Sequence, residues 1–172
     1  MKITVVGGGS WGLALSKVLS NNNHDVLVYD VNPKIINKIN ELHICLQLNE
    51  DIPENIVATS SMEEAMNYSE ILLFVVPTKV LRIAINEALK FIKKPKLIIN
   101  AAKGIEPETF LRISEIFSEM IPADLLKGFV TLSGPSHAEE VIRGLTTVVT
   151  ASSENEIDAV MVQDLFHNTE FF

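Results

Sequence analysis

Residues 5–15 read VVGGGSWGLAL, with four glycines in the six positions from Gly7 to Gly12 and apolar residues on both sides. Inside a strand or helix a glycine costs about 0.5–1 kcal/mol relative to alanine. A cluster of them therefore marks a place where backbone must turn tightly or approach something closely. The run 3–6 before it is β-branched and apolar, and 10–20 after it carries Trp11, Leu15, Val18 and Leu19 at helical spacing. Gly7, Gly9 and Gly12 fit G-x-G-x-x-G between that strand and that helix. The second apolar run, 26–29, leads into Asp30, eighteen positions after Gly12. The whole context predicts a βαβ turn that cradles a dinucleotide pyrophosphate. Gly7 permits the turn, Gly9 lets backbone reach the phosphates, and Gly12 brings the helix close to the sheet. Gly8 is spare in this scheme. Ser10 is placed to cap the helix or to donate to phosphate. Trp11 is expected to cover the cofactor or its cleft, and Asp30 to accept hydrogen bonds from the adenine ribose.

The remainder of the chain continues the alternation. Apolar, β-branched runs at 71–76, 97–99, 129–132 and 146–150, with a weaker one at 55–58, are short and continuous rather than alternating. Strands buried on both faces, as in a parallel sheet, have this character. Between them, 34–44, 78–92, 108–120, 136–142 and 153–166 follow a helical rhythm, and 49–55 reads as a surface loop. The predicted class is α/β, a doubly wound and mostly parallel sheet with helices on both faces. With 172 residues, 47% of them apolar, one domain with a sizeable core is expected.

Charge and cysteine content narrow the function. The 14 basic and 22 acidic residues give a net charge of −8, and the longest basic cluster is Lys93-Lys94. Nucleic-acid binding rests on phosphate neutralisation by Lys and Arg, so no nucleic-acid partner is expected. Cys45 is the one cysteine, which leaves neither an intrachain disulfide nor a cysteine metal pair. No apolar run reaches the length of a membrane span, and the N-terminus enters a strand pattern directly. A cytoplasmic location without membrane insertion is the expectation.

Further candidates lie after later strands. Lys103, in Ala101-Ala102-Lys103-Gly104, follows the run 97–99, where ligands bind in open α/β sheets. It can hold a substrate phosphate or polarise a carbonyl. Ser133-Gly134-Pro135-Ser136-His137-Ala138 follows the run 129–132. There Ser136 is a natural N-cap, with Glu139 completing a capping box, and the helix start favours a second anion. His137 is an acid–base candidate without an evident carboxylate neighbour. Pro77 ends the run 71–76, where backbone can pass along a bound cofactor. His24, His43 and His167 read as structural or solvated, and no metal constellation is expected.

Four segments, GGGSWGLAL at 7–15, VVPT at 75–78, AAKGIE at 101–106 and LSGPSHAEEV at 132–141, resemble the N-terminal domain of bacterial NAD(P)-dependent glycerol-3-phosphate dehydrogenases. The resemblance implies a Rossmann-like domain that interconverts sn-glycerol 3-phosphate and dihydroxyacetone phosphate, for glycerophospholipid synthesis. It implies cofactor contacts at Ser10, Trp11, Lys103 and Ala138, beside those read above at Gly7, Gly9, Gly12, Asp30 and Pro77. It places a small phosphate substrate on Lys103, Gly134 and Ser136, with Lys103 the catalytic candidate. Asp30-Val31-Asn32 lacks the Arg or His that members using NADP carry there, so NAD is favoured over NADP. The family's helical C-terminal domain has no counterpart in residues 1–172. The ending at Phe171-Phe172 suggests truncation, inactivity of this chain alone, and self-association through Phe166, Phe171 and Phe172; a homodimer is left open. Two other readings are a stand-alone NAD-binding or regulatory module and the front half of a 2-hydroxyacid or ketopantoate type dehydrogenase.

Overall fold

Seven strands form one sheet in the computed structural model, which describes residues 1–172. In chain order the main elements are β1 (Lys2–Val6), α1 (Ser10–Asn21), β2 (Asp25–Tyr29), α2 (Pro33–Asn37), β3 (Ile44–Cys45), β4 (Glu50–Asp51) and β5 (Val57–Thr59). They continue as α3 (Met62–Tyr68), β6 (Ile71–Phe74), α4 (Thr78–Leu89), β7 (Lys96–Asn100), α5 (Ile113–Met120), β8 (Leu126–Ser133), α6 (Ala138–Val141), β9 (Thr150–Ser152) and α7 (Glu156–Phe166). The sheet order is β5-β2-β1-β6-β7-β8-β9, parallel throughout except that β9 runs antiparallel to β8. The expected doubly wound, mostly parallel sheet is therefore the observed one. The chain moves outward from β1 in both directions, so β1 and β6 flank the switch point where a crevice opens.

The continuous apolar runs have the predicted reason. Every residue of β6 and β7, and all of β1 after Lys2, is buried. One core packs α1, α2, α6 and α7 against one face through residues such as Leu15, Ile35, Ile142 and Phe166. The other packs α3, α4 and α5 through Met66, Ile85 and Phe117, with Phe117 edge-on to Phe74 at 5.0 Å. Lys96 is buried at the opposite edge from the crevice. Its Nζ donates to the carbonyls of Met66 (2.6 Å) and Ser69 (2.5 Å), closing the end of α3.

Several expected boundaries move. The helix predicted over 34–44 is α2 followed by a π-helical turn, Lys38–Leu42, that ends at His43 in the left-handed region (φ 51°). The loop predicted over 49–55 contains β4, which pairs with β3 in a small hairpin. The strand predicted over 146–150 begins only at Thr150; Thr147 instead bridges to Phe171. That bridge corrects the reading of the tail. Phe166 and Phe171 are both 2% exposed and lie 5.9 Å apart, so only Phe172 remains on the surface. No helix is long and apolar enough to cross a membrane.

Candidate functional site at the carboxyl ends of β1, β6 and β7

The glycine loop has separate steric reasons at each position. Gly7 has φ +118°, and a Cβ there would lie 2.8 Å from the Val75 carbonyl oxygen of the neighbouring strand end. A Cβ on Gly12 would lie 1.9 Å from the Gly7 carbonyl oxygen, so α1 packs on the turn without room for any side chain. Gly9 differs: a Cβ there would meet nothing within 4 Å. No protein atom nearby excludes a side chain at Gly9, so the space beside this N-cap is open. Gly8 is not spare. Its N–H donates to Asp30 Oδ2 (2.8 Å), and a Cβ would come within 2.8 Å of Ile35 Cγ2.

Gly9 is the N-cap of α1, and no side chain caps the helix. The expected cap by Ser10 is therefore not formed, since Ser10 is already the first helical residue. Leu13 N–H reaches the Gly9 carbonyl oxygen (2.9 Å) as the first turn closes. The preceding N–H groups of the turn are free for an anion, as helix geometry dictates.

Two walls flank this helix start. On the β2 side, an apolar pocket of about 270 Å³ is lined by Val31, Met62, Val76, Val80 and Ile83, with Asp30 at its edge. Both Asp30 oxygens accept backbone N–H groups, Oδ2 from Gly8 and Oδ1 from Asn32 (2.8 Å each). The carboxylate is thus oriented before any ligand arrives. On the β7 side, an open cleft of about 450 Å³ runs from Gly9, Ser10 and Trp11 past Pro77 to Lys103, Ser136, His137 and Ala138. Trp11 Nε1 donates to the Ala101 carbonyl oxygen (3.0 Å), pinning the indole against the loop after β7. Lys103 Nζ stands 5.1 Å from the Trp11 ring centroid, a cation–π distance. It donates to the Ser136 carbonyl oxygen (2.6 Å) and lies 3.3 Å from Ser136 Oγ.

Ser136 is 4% exposed and does not cap α6. The N-cap is His137, without a side-chain bond, so the expected capping box with Glu139 is absent. The physical reason is that Ser136 turns toward Lys103 before the helix starts. Gly134 lies behind it, where a Cβ would come 2.7 Å from the Val148 carbonyl oxygen. A larger groove of about 500 Å³, lined by residues such as Arg112, Lys127 and Asp158, contains none of the glycine loop. The chemistry gathers in the shallower cleft, so volume does not locate the site. No group of three or more His, Cys, Asp or Glu side chains is arranged to hold a metal ion.

Residues 2–159 match the family described as NAD-dependent glycerol-3-phosphate dehydrogenase N-terminus. The chain belongs to this family. It is 45% identical over 170 residues to a glycerol-3-phosphate dehydrogenase [NAD(P)+] of Phytoplasma australiense, covering 98% of this chain and 50% of that protein. It is 48% identical over 173 residues to the enzyme of the same description from Bacillus thuringiensis, covering 99% and 51%. A crystal structure of glycerol-3-phosphate dehydrogenase from Coxiella burnetii superposes with a TM-score of 0.88 at 24% identity, over 99% of this chain and 52% of that one, and supports the fold. The chain spans about half the length of the curated relatives it matches.

Family membership decides against the 2-hydroxyacid and ketopantoate readings and agrees with the resemblance carried by the four segments. In this dehydrogenase N-terminal domain the fold brings Gly9, Ser10, Trp11, Pro77, Lys103, Ser136 and Ala138 to one cleft. It sets Gly7 and Asp30 on the other wall, and Gly134 outside both. Sequence reading missed the apolar wall. Its available signal was Val80 and Ile83, apolar residues on the outer side of α4 that remain 41% and 63% exposed.

Proposed function

We propose that this chain is the cofactor-binding half of an enzyme that transfers hydride between sn-glycerol 3-phosphate and NAD, with dihydroxyacetone phosphate as the oxidised partner. The observation that carries the reading is Gly9, with open space at its missing side chain, on an uncapped helix start between an apolar pocket and a lysine-bearing cleft. These residues fit a dinucleotide. Free N–H groups of the α1 turn take the pyrophosphate, and helix polarity adds to their attraction for it. The apolar pocket takes the adenine, and the oriented Asp30 carboxylate accepts ribose hydroxyls. When bound, the nicotinamide supplies or accepts the hydride.

The remaining roles belong to this chain's own groups. Lys103, already held at the Ser136 carbonyl, presents a positive charge to the substrate phosphate or carbonyl. Ser136 Oγ offers a hydroxyl beside it, and Pro77 and Ala138 border the nicotinamide side. Gly134 serves this substrate site through the backbone that places Ser136. With Lys103 on the phosphate, the substrate's hydroxyl proton passes to another group: His137 lines the same cleft, and in this reading the part of the enzyme outside this domain supplies the principal acceptor. Location in the cytoplasm and supply of glycerophospholipid synthesis accompany this reading.

The test pairs a binding and a turnover measurement. The 172-residue chain should bind NADH. Dihydroxyacetone phosphate-dependent oxidation of NADH should appear in the longer protein and collapse in its Lys103→Met form. Binding without any such turnover in the longer protein would contradict the assignment.

A further inference from the structure

We propose that Arg82 and Glu106 form a positioning pair that holds the Lys103 loop in the cleft. Lys103 lies on the segment between β7 and α5, and little apolar packing secures it there. Ala101, Ala102 and Leu111 pack on the cores at its two ends, but between them Ile105 and Phe110 are 52% and 73% exposed and Gly104 has φ +106°. The segment is anchored instead by one carboxylate. Glu106 is buried, and its oxygens accept from Arg82 Nε (2.7 Å), Arg82 Nη2 (3.0 Å) and the Thr109 hydroxyl. The backbone closes around the same point. Glu106 N–H donates to the Leu111 carbonyl (3.0 Å), and Phe110 N–H to the Glu106 carbonyl (2.9 Å).

Arg82 supplies the fixed end. It sits in the second turn of α4, whose N-cap Pro77 lines the cleft, and its outer edge reaches Glu119 of α5 at 3.2 Å. A planar guanidinium bound through two donors fixes orientation as well as distance. The clamp therefore ties the loop, three residues beyond Lys103, to the helix at the switch point. At the other end, Trp11 Nε1 holds the Ala101 carbonyl. Lys103 lies between these two anchors.

The geometry supplies its own reporter, because Trp11 is the sole tryptophan and touches both Ala101 and the Lys103 ammonium. In the 172-residue chain, Glu106→Gln and Arg82→Gln should each make Trp11 emission more readily quenched by acrylamide, in the direction produced by Lys103→Met. Glu119→Gln, which removes only the outer contact of Arg82, should leave Trp11 as in the parent. Circular dichroism establishes that each variant is folded; if Glu106→Gln is not, Thr109→Val loosens the same carboxylate more gently and gives the same readout. Folded Glu106→Gln and Arg82→Gln proteins with parental Trp11 quenching overturn the proposal.

The consequence for turnover rests on the functional reading above. In the longer enzyme, a displacement of Lys103 by about 1 Å lowers kcat/KM on the order of a hundredfold, with the Kd for NADH little changed. Equal losses in turnover and NADH affinity would show general disruption and overturn positioning. Full turnover by Lys103→Met would instead remove the functional reading, while the Trp11 measurement still decides whether the pair holds the loop.

Discussion

Replacing Gly9 by alanine separates ligand approach from fold. The position is the N-cap of α1 with φ −72° and ψ −179°, an extended conformation that alanine adopts freely. Alanine is a poorer N-cap than glycine by roughly 0.5 kcal/mol, and it restricts the unfolded chain by about 0.4–1 kcal/mol in the opposite sense. With nothing within 4 Å of the new Cβ, the two effects nearly cancel. A chain of this size shifts its Tm about 2–4 °C per kcal/mol, so Gly9→Ala should melt within about 2 °C of the parent. Binding should respond differently. The methyl group would occupy the space through which pyrophosphate reaches the helix N–H groups. Loss of two charge-assisted hydrogen bonds, at about 1.5–3 kcal/mol each, weakens NADH by at least a hundredfold. Gly12→Ala is the contrasting case, because its Cβ would sit 1.9 Å from the Gly7 carbonyl oxygen, a backbone atom. Overpacking typically costs about 1–3 kcal/mol, and a clash with a backbone atom belongs at the upper end, so its Tm should fall by about 6 °C or more. Thermal melts and NADH titration of both variants decide the matter. Unchanged NADH affinity in Gly9→Ala would mean that no pyrophosphate passes this position, and parental melting of Gly12→Ala that α1 does not pack on the turn as tightly as the 1.9 Å approach requires.

Other outcomes follow from the same contacts. NAD should bind at least about tenfold tighter than NADP: Asp30 and Glu87 line the apolar pocket proposed for the adenine, without a basic residue, and like charges about 4 Å apart repel by up to about 4 kcal/mol at an effective dielectric near 20. Paired titrations showing equal affinity would contradict this. Lys103→Met should keep the Tm within about 4 °C, since it removes one hydrogen-bonded link to Ser136 at the surface, while kcat/KM in the longer enzyme falls steeply. Gly8→Ala should lower both Tm and NADH affinity, because its Cβ meets Ile35 and its N–H orients Asp30. The Arg82 and Thr109 hydrogen bonds hold the Glu106 carboxyl below its ordinary value of 4.5. A carboxyl depressed in the fold contributes stability above the ordinary range and loses it as pH falls through the folded value. The Tm difference between parent and Glu106→Gln should therefore shrink as pH drops below 4.5, and melts across that range check it.

The sheet and the glycine loop were legible because their signals are local. β1, β6 and β7 are buried along their lengths and read as uninterrupted apolar runs, and the glycines stand between a strand and a helix. The helix α3 was missed although Ser61 accepts from Glu64 N–H (3.2 Å), an S-x-x-E start visible in the sequence. Its apolar residues Met62, Ala65 and Met66 are too few to declare a stripe by themselves. The helix expected from 108 begins five residues later, at Ile113, because Glu106 draws the segment into a turn through an arginine 24 positions away. Ser136 was assigned to the helix it precedes for a similar reason: its partner Lys103 lies 33 positions earlier. Local pattern carries capping and periodicity, whereas these placements depend on long-range polar pairs with no periodic trace. Asp30 lies between the two cases. Its position was legible, but its two backbone donors required the folded turn.

In the proposed complex a reduced nicotinamide dinucleotide lies across the α1 start with its nicotinamide toward Trp11. NADH titrated into the 172-residue chain, with excitation of the sole tryptophan, reads this out. Saturable quenching of Trp11 should appear together with sensitised NADH emission, both reversed by competing NAD and both strongly weakened in Gly9→Ala. Saturable NADH binding with no energy transfer from Trp11, or no saturable binding at all, would contradict this placement.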